Sequence, residues 1–243
     1  KRYNICLQAS ALNNRLNFAI EYFHSKTDNL LTRKAVSDIT GLASMWSNDG
    51  SLKNNGVDFN VNAMIVQHKD WRWQAGFSIG HYKNEITSLP SSSLNTIKTY
   101  ALDEYGVKIA DSENRINGYT SSIYGSNNIL TTVGQAAGVF YGYKTKGVFA
   151  SDAEAQTAGK YGYLRYPTGI AEQPYRNFKA GDVHFVDQNG DGWINEADMV
   201  VIGDPNPDIY GNIYTSLSWK GLKLDVNFKY SLGNDVYLSL IHI

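Results

Sequence analysis

The sequence holds one cysteine, Cys6, in 243 residues. That excludes an intrachain disulfide framework and any multi-cysteine zinc site. It also lacks an excess of either charge: 22 Lys and Arg face 23 Asp and Glu, a formal net charge of -1. Nucleic-acid binders usually carry a basic excess, so that class is disfavoured. No apolar run approaches the ~18 residues of a transmembrane helix, and the mean hydropathy is -0.35. There is no phosphate-cradling glycine loop, nucleophile elbow or zincin signature. His24, His68, His81, His184 and His242 form no pair at metal-ligand spacing. No initiator Met and no signal peptide open the sequence at Lys1, which leads us to expect an internal piece of a longer protein.

What the chain does have is period-2 alternation. Val57, Phe59, Val61, Ala63 and Ile65 alternate with Asp58, Asn60, Asn62 and Met64. Trp71, Trp73, Ala75, Phe77 and Ile79 alternate with Arg72, Gln74, Gly76, Ser78 and Gly80. Similar blocks run from Asn212 to Trp219 and from Leu222 to Tyr230, and a weaker one sets Leu16, Phe18, Ile20 and Tyr22 against Asn17 and Glu21. Each reads as a strand with one apolar and one polar face. The predicted strands are 14–23, 57–67, 71–83, 210–219 and 222–231.

Their connections are lopsided. His68-Lys69-Asp70 and Lys220-Gly221 are tight turns, whereas 28–56 and 84–209 show no clean alternation. Short turns at one end and long loops at the other describe an outer-membrane β-barrel. A soluble β-sandwich also alternates. Two features favour the membrane. Polar faces of Asn, Ser, Lys and Asp suit a wet lumen, and Trp71, Trp73, Trp219 and Tyr230 sit near strand ends, where interfacial girdles lie.

One chemical motif stands inside the long insert, at 187–198. Asp187, Asn189, Asp191, Asn195 and Asp198 place oxygen-bearing side chains at loop positions 1, 3, 5, 9 and 12, with Gly192 at position 6. Calcium takes six to eight hard oxygen ligands, and such a loop can wrap them around one ion. The backbone carbonyl of Trp193 would complete the set, Asn195 binding directly or through water, and Ile194 would pack the loop inward. Asp198 departs from the usual glutamate at the closing position. The expected cofactor is therefore a structural Ca²⁺; the competing reading is an Asx- and glycine-rich turn that binds nothing. Asp103-Glu104 is a poor candidate for paired catalytic acids, because adjacent acids seldom face one another. Arg72, Tyr82, Lys223, Asp225 and Asn227 are candidate lumen contacts, and Tyr161-Gly162-Tyr163 a candidate sugar platform or loop packing.

Several segments together resemble a known family. GSLKNNGVDFNVNA (50–63), GVFYGYKTKGVFASDAEA (138–155), AGDVHFVDQNGDGWINEADMVVIGDPNP (180–207) and YGNIYTSLSWKGLKLDVNFKYSLGNDVY (210–237) look like SusC/RagA text. NRLNFAIEYFHSKTDNLL (14–31) and FSIGHYKNEITSL (77–89) do too, in the family's order. The resemblance implies an all-β fold, part of a large antiparallel transmembrane β-barrel of ~22 strands with long extracellular loops. It implies an outer-membrane location, TonB-driven movement of a plug, and a SusD-like surface lipoprotein as partner. Its substrates would be oligosaccharides or peptides, and the protein would not be an enzyme. The plug and TonB box of that family have no counterpart in this sequence. Residues 1–237 are expected to be partial barrel, with the extracellular loop 84–209 carrying the calcium-type loop 187–198. Residues 238–243 (LSLIHI) match translated sequencing adapter and are expected to be non-native. The alternative function is a secreted calcium-stabilised carbohydrate-binding β-sandwich.

Overall fold

The computed structural model describes residues 1–42, 44–90, 96–123 and 126–238. Of the expected adapter-derived tail only Leu238 falls within these; 239–243, with His242, lie outside the described residues. Six strands form one antiparallel sheet: β1 (Arg2–Ala11), β2 (Leu16–Ala35), β3 (Ser44–Gln67), β4 (Trp71–Ser88), β14 (Ile209–Trp219) and β15 (Leu222–Leu232). The insert between β4 and β14 carries β5 (Thr96–Thr99), β6 (Asn114–Ile123), β7 (Ser126–Thr132), β8 (Val139–Tyr143), β9 (Thr145–Val148), α1 (Asp152–Ala155), β10 (Arg165–Ile170), β11 (Gln173–Asn177), β12 (Val183–Phe185) and β13 (Met199–Gly203).

Register converts the one-dimensional alternation into two continuous surfaces. One cross-strand row reads Ala9, Phe18, Val61, Phe77, Ile213 and Phe228 from β1 to β15. The next row reads Ser10, Asn17, Asn62, Gly76, Tyr214 and Asn227, on the opposite face. Directly opposed residues share a face, so Phe18, Val61, Phe77, Ile213 and Phe228 come to one side, while Phe23 and Met64 fall on the other. The first side is bare: Ile5, Phe77, Ile213, Leu224 and Phe228 are all exposed, Phe228 to 64%. A sandwich would pack a second sheet against this surface. An uncovered apolar belt of this kind is what the outer side of a barrel wall presents.

The strands are longer than the alternation predicts. Residues 28–56 show no clean alternation, but β2 and β3 stay paired through Lys26 and Lys53, Leu30 and Gly50, and Lys34 and Met45. Bulges near Leu30 shift the register and scramble the face pattern, which hides the strands from a period-2 reading. The connection shrinks to 36–43. At ~3.3 Å per residue, the 24 residues of β3 reach roughly 80 Å, well past a ~30 Å hydrocarbon core. The predicted 71–83 likewise continues to Ser88. β1 is not among the predicted strands, although Tyr3, Ile5, Leu7 and Ala9 alternate with Asn4, Cys6 and Gln8. It joins β2 through Leu12, Asn13 and Asn14, all left-handed (φ 55, 56 and 65). Asn tolerates that region, and the turn is a third short one at the same end as 68–70 and 220–221.

On the polar face, long side chains cross over strands that carry glycine. The Tyr214 hydroxyl on β14 passes over Gly76 on β4 and donates to Asn62 Oδ1 on β3 at 2.6 Å. Tyr210 does the same over Gly80, donating to Asp58 Oδ1 at 2.6 Å. A Cβ at either glycine would overlap the tyrosine ring.

The insert is a folded lobe. A five-stranded sheet of order β13-β8-β7-β6-β5 packs Leu130, Val139 and Tyr141 inside. A second core gathers Phe149, Ala155, Leu164, Phe178 and Ile194. The lobe is tied to β4: Ile86 N donates to Gln135 O, Gly134 N to Ile86 O, and Ala137 N to Asn84 Oδ1, each at 2.9 Å.

Gly76→Val is expected to displace Tyr214 and cost about 1–3 kcal/mol, as overpacking does. Thermal unfolding in detergent checks this. Gly221→Ala, whose added Cβ meets nothing within 4 Å, should leave the midpoint unchanged.

Candidate functional site

The segment 187–198 joins β12 to β13 and is built by its own carboxylates. Asp187 Oδ1 accepts from Gly190 N at 2.7 Å and Asp191 N at 3.3 Å, and its Oδ2 accepts from Gly192 N at 2.8 Å. Gly190 and Gly192 have φ 70 and 87, a region that L side chains avoid. Asn189 Oδ1 accepts from Asp191 N at 3.0 Å, and Asn189 Nδ2 donates to Asp191 Oδ2 at 3.0 Å. Asp198 closes the loop, its Oδ1 accepting from Gln188 N at 2.8 Å and its Oδ2 from Asn195 N at 2.9 Å. Asn195 in turn accepts from Ala197 N at 2.7 Å through Oδ1. All six predicted residues therefore lie in one wound loop.

Two contacts reach far along the chain. Asp191 Oδ2 accepts from Leu102 N at 2.7 Å, and Trp193 Nε1 donates to Asp103 O at 2.8 Å. Together they clamp the 101–107 turn onto the acidic loop. Trp193 is 2% exposed and packs edge-on against Tyr175. The guanidinium of Arg165 lies over the rings of Tyr175, Trp193 and Tyr161, at 5.1, 5.6 and 6.0 Å. Sequence reasoning named Trp193 for its carbonyl and missed its indole, because its partners lie about 90 residues away and leave no local signal. Ile194 enters the second core as the motif predicts.

The electrostatics of the loop are one-sided. Asp198 is completely buried, and that burial pushes its carboxyl up to about 6. Amide donation from Asn195 and Gln188 opposes the shift, and the charges of Asp187 and Asp191 reinforce it. Among the described residues none of these three carboxylates makes an ion pair. No three His, Cys, Asp or Glu side chains among the described residues are arranged to hold a metal ion. The carboxylates turn onto backbone amides instead. The all-oxygen donor set and the uncompensated buried charge nevertheless fit a hard dication.

The remaining candidates sort by face. Arg72 and Lys223 both oppose Ser218, Asp225 opposes Ser216, and Asn227 opposes Tyr214, all on the polar side. Lys223 Nζ pairs with Asp225 at 2.9 Å, and the Tyr82 hydroxyl donates to Asn206 at 3.2 Å. Asp103 Oδ1 accepts from Tyr105 N and Val107 N, so the Asp103-Glu104 pair shapes a turn. Tyr163 packs on the second core, while Tyr161 stacks with Lys160 and Arg165. Cys6 is exposed on the polar face of β1.

A bare apolar face, a polar opposite face and one-sided loops define a segment of barrel wall. No family model matches the chain. Over 96% of its length it is 30% identical to the TonB-dependent receptor P26 of Formosa agariphila, covering 20% of that protein. Over 98% of its length it is 27% identical to the TonB-dependent receptor SusC of Bacteroides thetaiotaomicron, again covering 20%. The RagAB peptide importer in its closed-closed state superposes with TM-score 0.59 at 25% identity, over 96% of this chain and 21% of that one. The chain thus spans about one fifth of the length of the relatives it matches. The chain is similar to a stretch of TonB-dependent receptors, SusC among them, and shares the antiparallel β-barrel fold of the RagAB importer over that stretch. Its relatives are receptors and transporters, not enzymes.

Asp191→Ala would leave Leu102 N and Trp193 N without their buried acceptor. A loss of about 1–3 kcal/mol per orphaned donor is expected. Trp193 emission should shift to the red at a lower denaturant concentration than in the parent.

Proposed function

We propose that the chain is part of the wall and an extracellular lobe of an outer-membrane importer of oligosaccharides or peptides. The reading rests on the six-strand apolar belt, with exposed members on every strand and a polar opposite face matched to it strand by strand. Lipid satisfies the first surface, and water with substrate satisfies the second. On this reading Arg72, Tyr82, Lys223, Asp225 and Asn227 offer donors and acceptors to a passing solute. No covalent step is required of them. Work comes from TonB acting on a plug contributed by other parts of the protein, and a SusD-like lipoprotein would close over the lobe. The test is uptake of labelled maltooligosaccharides and tripeptides by cells expressing the full-length protein with and without TonB. TonB-dependent uptake of either is expected; equal uptake without TonB contradicts the proposal.

We also propose that calcium fills the 187–198 loop, held by Asp187, Asn189, Asp191, the Trp193 carbonyl, Asn195 and Asp198. A bound dication would neutralise the buried carboxylates and stiffen the link between β12 and β13. Binding to the folded state alone stabilises by about 2.7 kcal/mol at a hundredfold excess over Kd. Thermal midpoints measured in calcium and in chelator should differ by several degrees, and Asp187→Ala should abolish the difference. Identical midpoints for the parent in both buffers would overturn calcium binding.

A further inference from the structure

The acidic loop does more than wind on itself: it builds one side of a cavity. The cavity has a volume of about 810 Å³ and opens within the lobe between the 98–108 segment and the 178–197 region. That is the size of a small-ligand site. Ile194, Asn195, Glu196 and Ala197 line it from the acidic loop. The segment across from them is the one that Asp191 and Trp193 clamp through Leu102 N and Asp103 O. The lining is therefore positioned by buried hydrogen bonds on both sides.

Its chemistry is uneven in an informative way. Tyr143 meets Phe185 at 5.5 Å and 64°, Phe178 meets Phe185 at 5.9 Å and 61°, and Tyr166 meets Phe178 at 5.1 Å and 50°. Rings packed edge to face present edges and corners, a good enclosure for a bulky apolar side chain. A sugar's hydroxyls would lose water against these rings and aliphatics at a cost for each unpaired group. Charge is divided by segment: Lys98 and Lys108 come from one, Asp182 and Glu196 from the other. Asn195 belongs to the lining, while its Nδ2 is buried behind the cavity surface.

We propose that this cavity binds a short peptide, seating one large apolar side chain among Tyr143, Tyr166, Phe178 and Phe185. The peptide carboxylate lies toward Lys98 and Lys108, and its ammonium toward Glu196. The assignment rests on the import reading only for the source of the peptide; binding itself stands on the cavity.

Isothermal titration of the full-length protein in detergent with the tripeptide Ala-Leu-Ala tests it, with Ala-Ser-Ala and maltotriose as comparisons. Ala-Leu-Ala is expected to bind at least tenfold more tightly than either. Ala197→Phe fills the cavity and should weaken Ala-Leu-Ala at least tenfold. Lys108→Glu lies on the exposed rim and keeps the cavity. It should weaken the free-carboxylate peptide several-fold while sparing its C-terminal amide. Maltotriose binding as tightly as Ala-Leu-Ala, or undiminished Ala-Leu-Ala binding in Ala197→Phe, overturns the proposal. An equal loss for acid and amide in Lys108→Glu also overturns it. Uptake assays separate the two readings. TonB-dependent peptide uptake unaffected by Ala197→Phe sinks the cavity and leaves import standing. Cavity-dependent binding without any TonB-dependent uptake does the reverse.

Discussion

The pairing of β4 with β14 holds the molecule together. Trp71 opposes Trp219 and Gly80 opposes Tyr210, residues separated by the whole insert, with every position between them in register. Closing so long a loop costs entropy, and antiparallel pairing over ten consecutive positions offsets it. The stacked indoles of Trp71 and Trp219, 5.5 Å apart, fix the short-turn end. The tyrosines that reach from β14 across β4 to β3 extend the same register by one more strand. A one-residue slip would exchange the apolar and polar rows of the slipped strand between the two faces. The register and the two-faced surface are one constraint.

Much of this was legible in the sequence, for a physical reason. A barrel wall is sorted by side-chain parity, and parity survives in one dimension wherever the strand is regular. The blocks at 57–67, 71–83, 210–219 and 222–231 show it. Parity fails at bulges, which is why the outer halves of β2 and β3 around Leu30 and Gly50 read as loop. β1 obeys the same rule, but its turn of Leu12, Asn13 and Asn14 lacks the glycine that marks a short turn in sequence. The lobe was opaque for a different reason. Most of its strands are short, β9 and β11 are exposed throughout, and its second core draws on residues from Phe149 to Ile194.

The acidic loop was legible as composition and spacing, and the structure gives it a second identity. Its carboxylates act first as acceptors for backbone amides, both within the loop and, through Asp191, on the distant 101–107 turn. Spacing alone can show that oxygens converge; it cannot show that Trp193 and Asp191 hold a remote segment in place. The same contacts shape the aromatic cavity, so the proposals for ion and for peptide share one scaffold. An ion that stiffened the loop would also steady the cavity wall that Ile194 through Ala197 provide.

The central claim is that one face of the six-stranded sheet meets lipid and the other meets water. Site-directed fluorescent labelling reads this most directly, with Cys6 first replaced by Ser and single cysteines introduced along β4 and β14. The protein is reconstituted in bilayers containing brominated lipid. Labels at Phe77 and Ile213 should be quenched by the lipid, whereas labels at Ser78 and Asn212 should respond to aqueous iodide. Alternation with a period of two along both strands is the predicted result; uniform aqueous quenching on both faces would contradict the account.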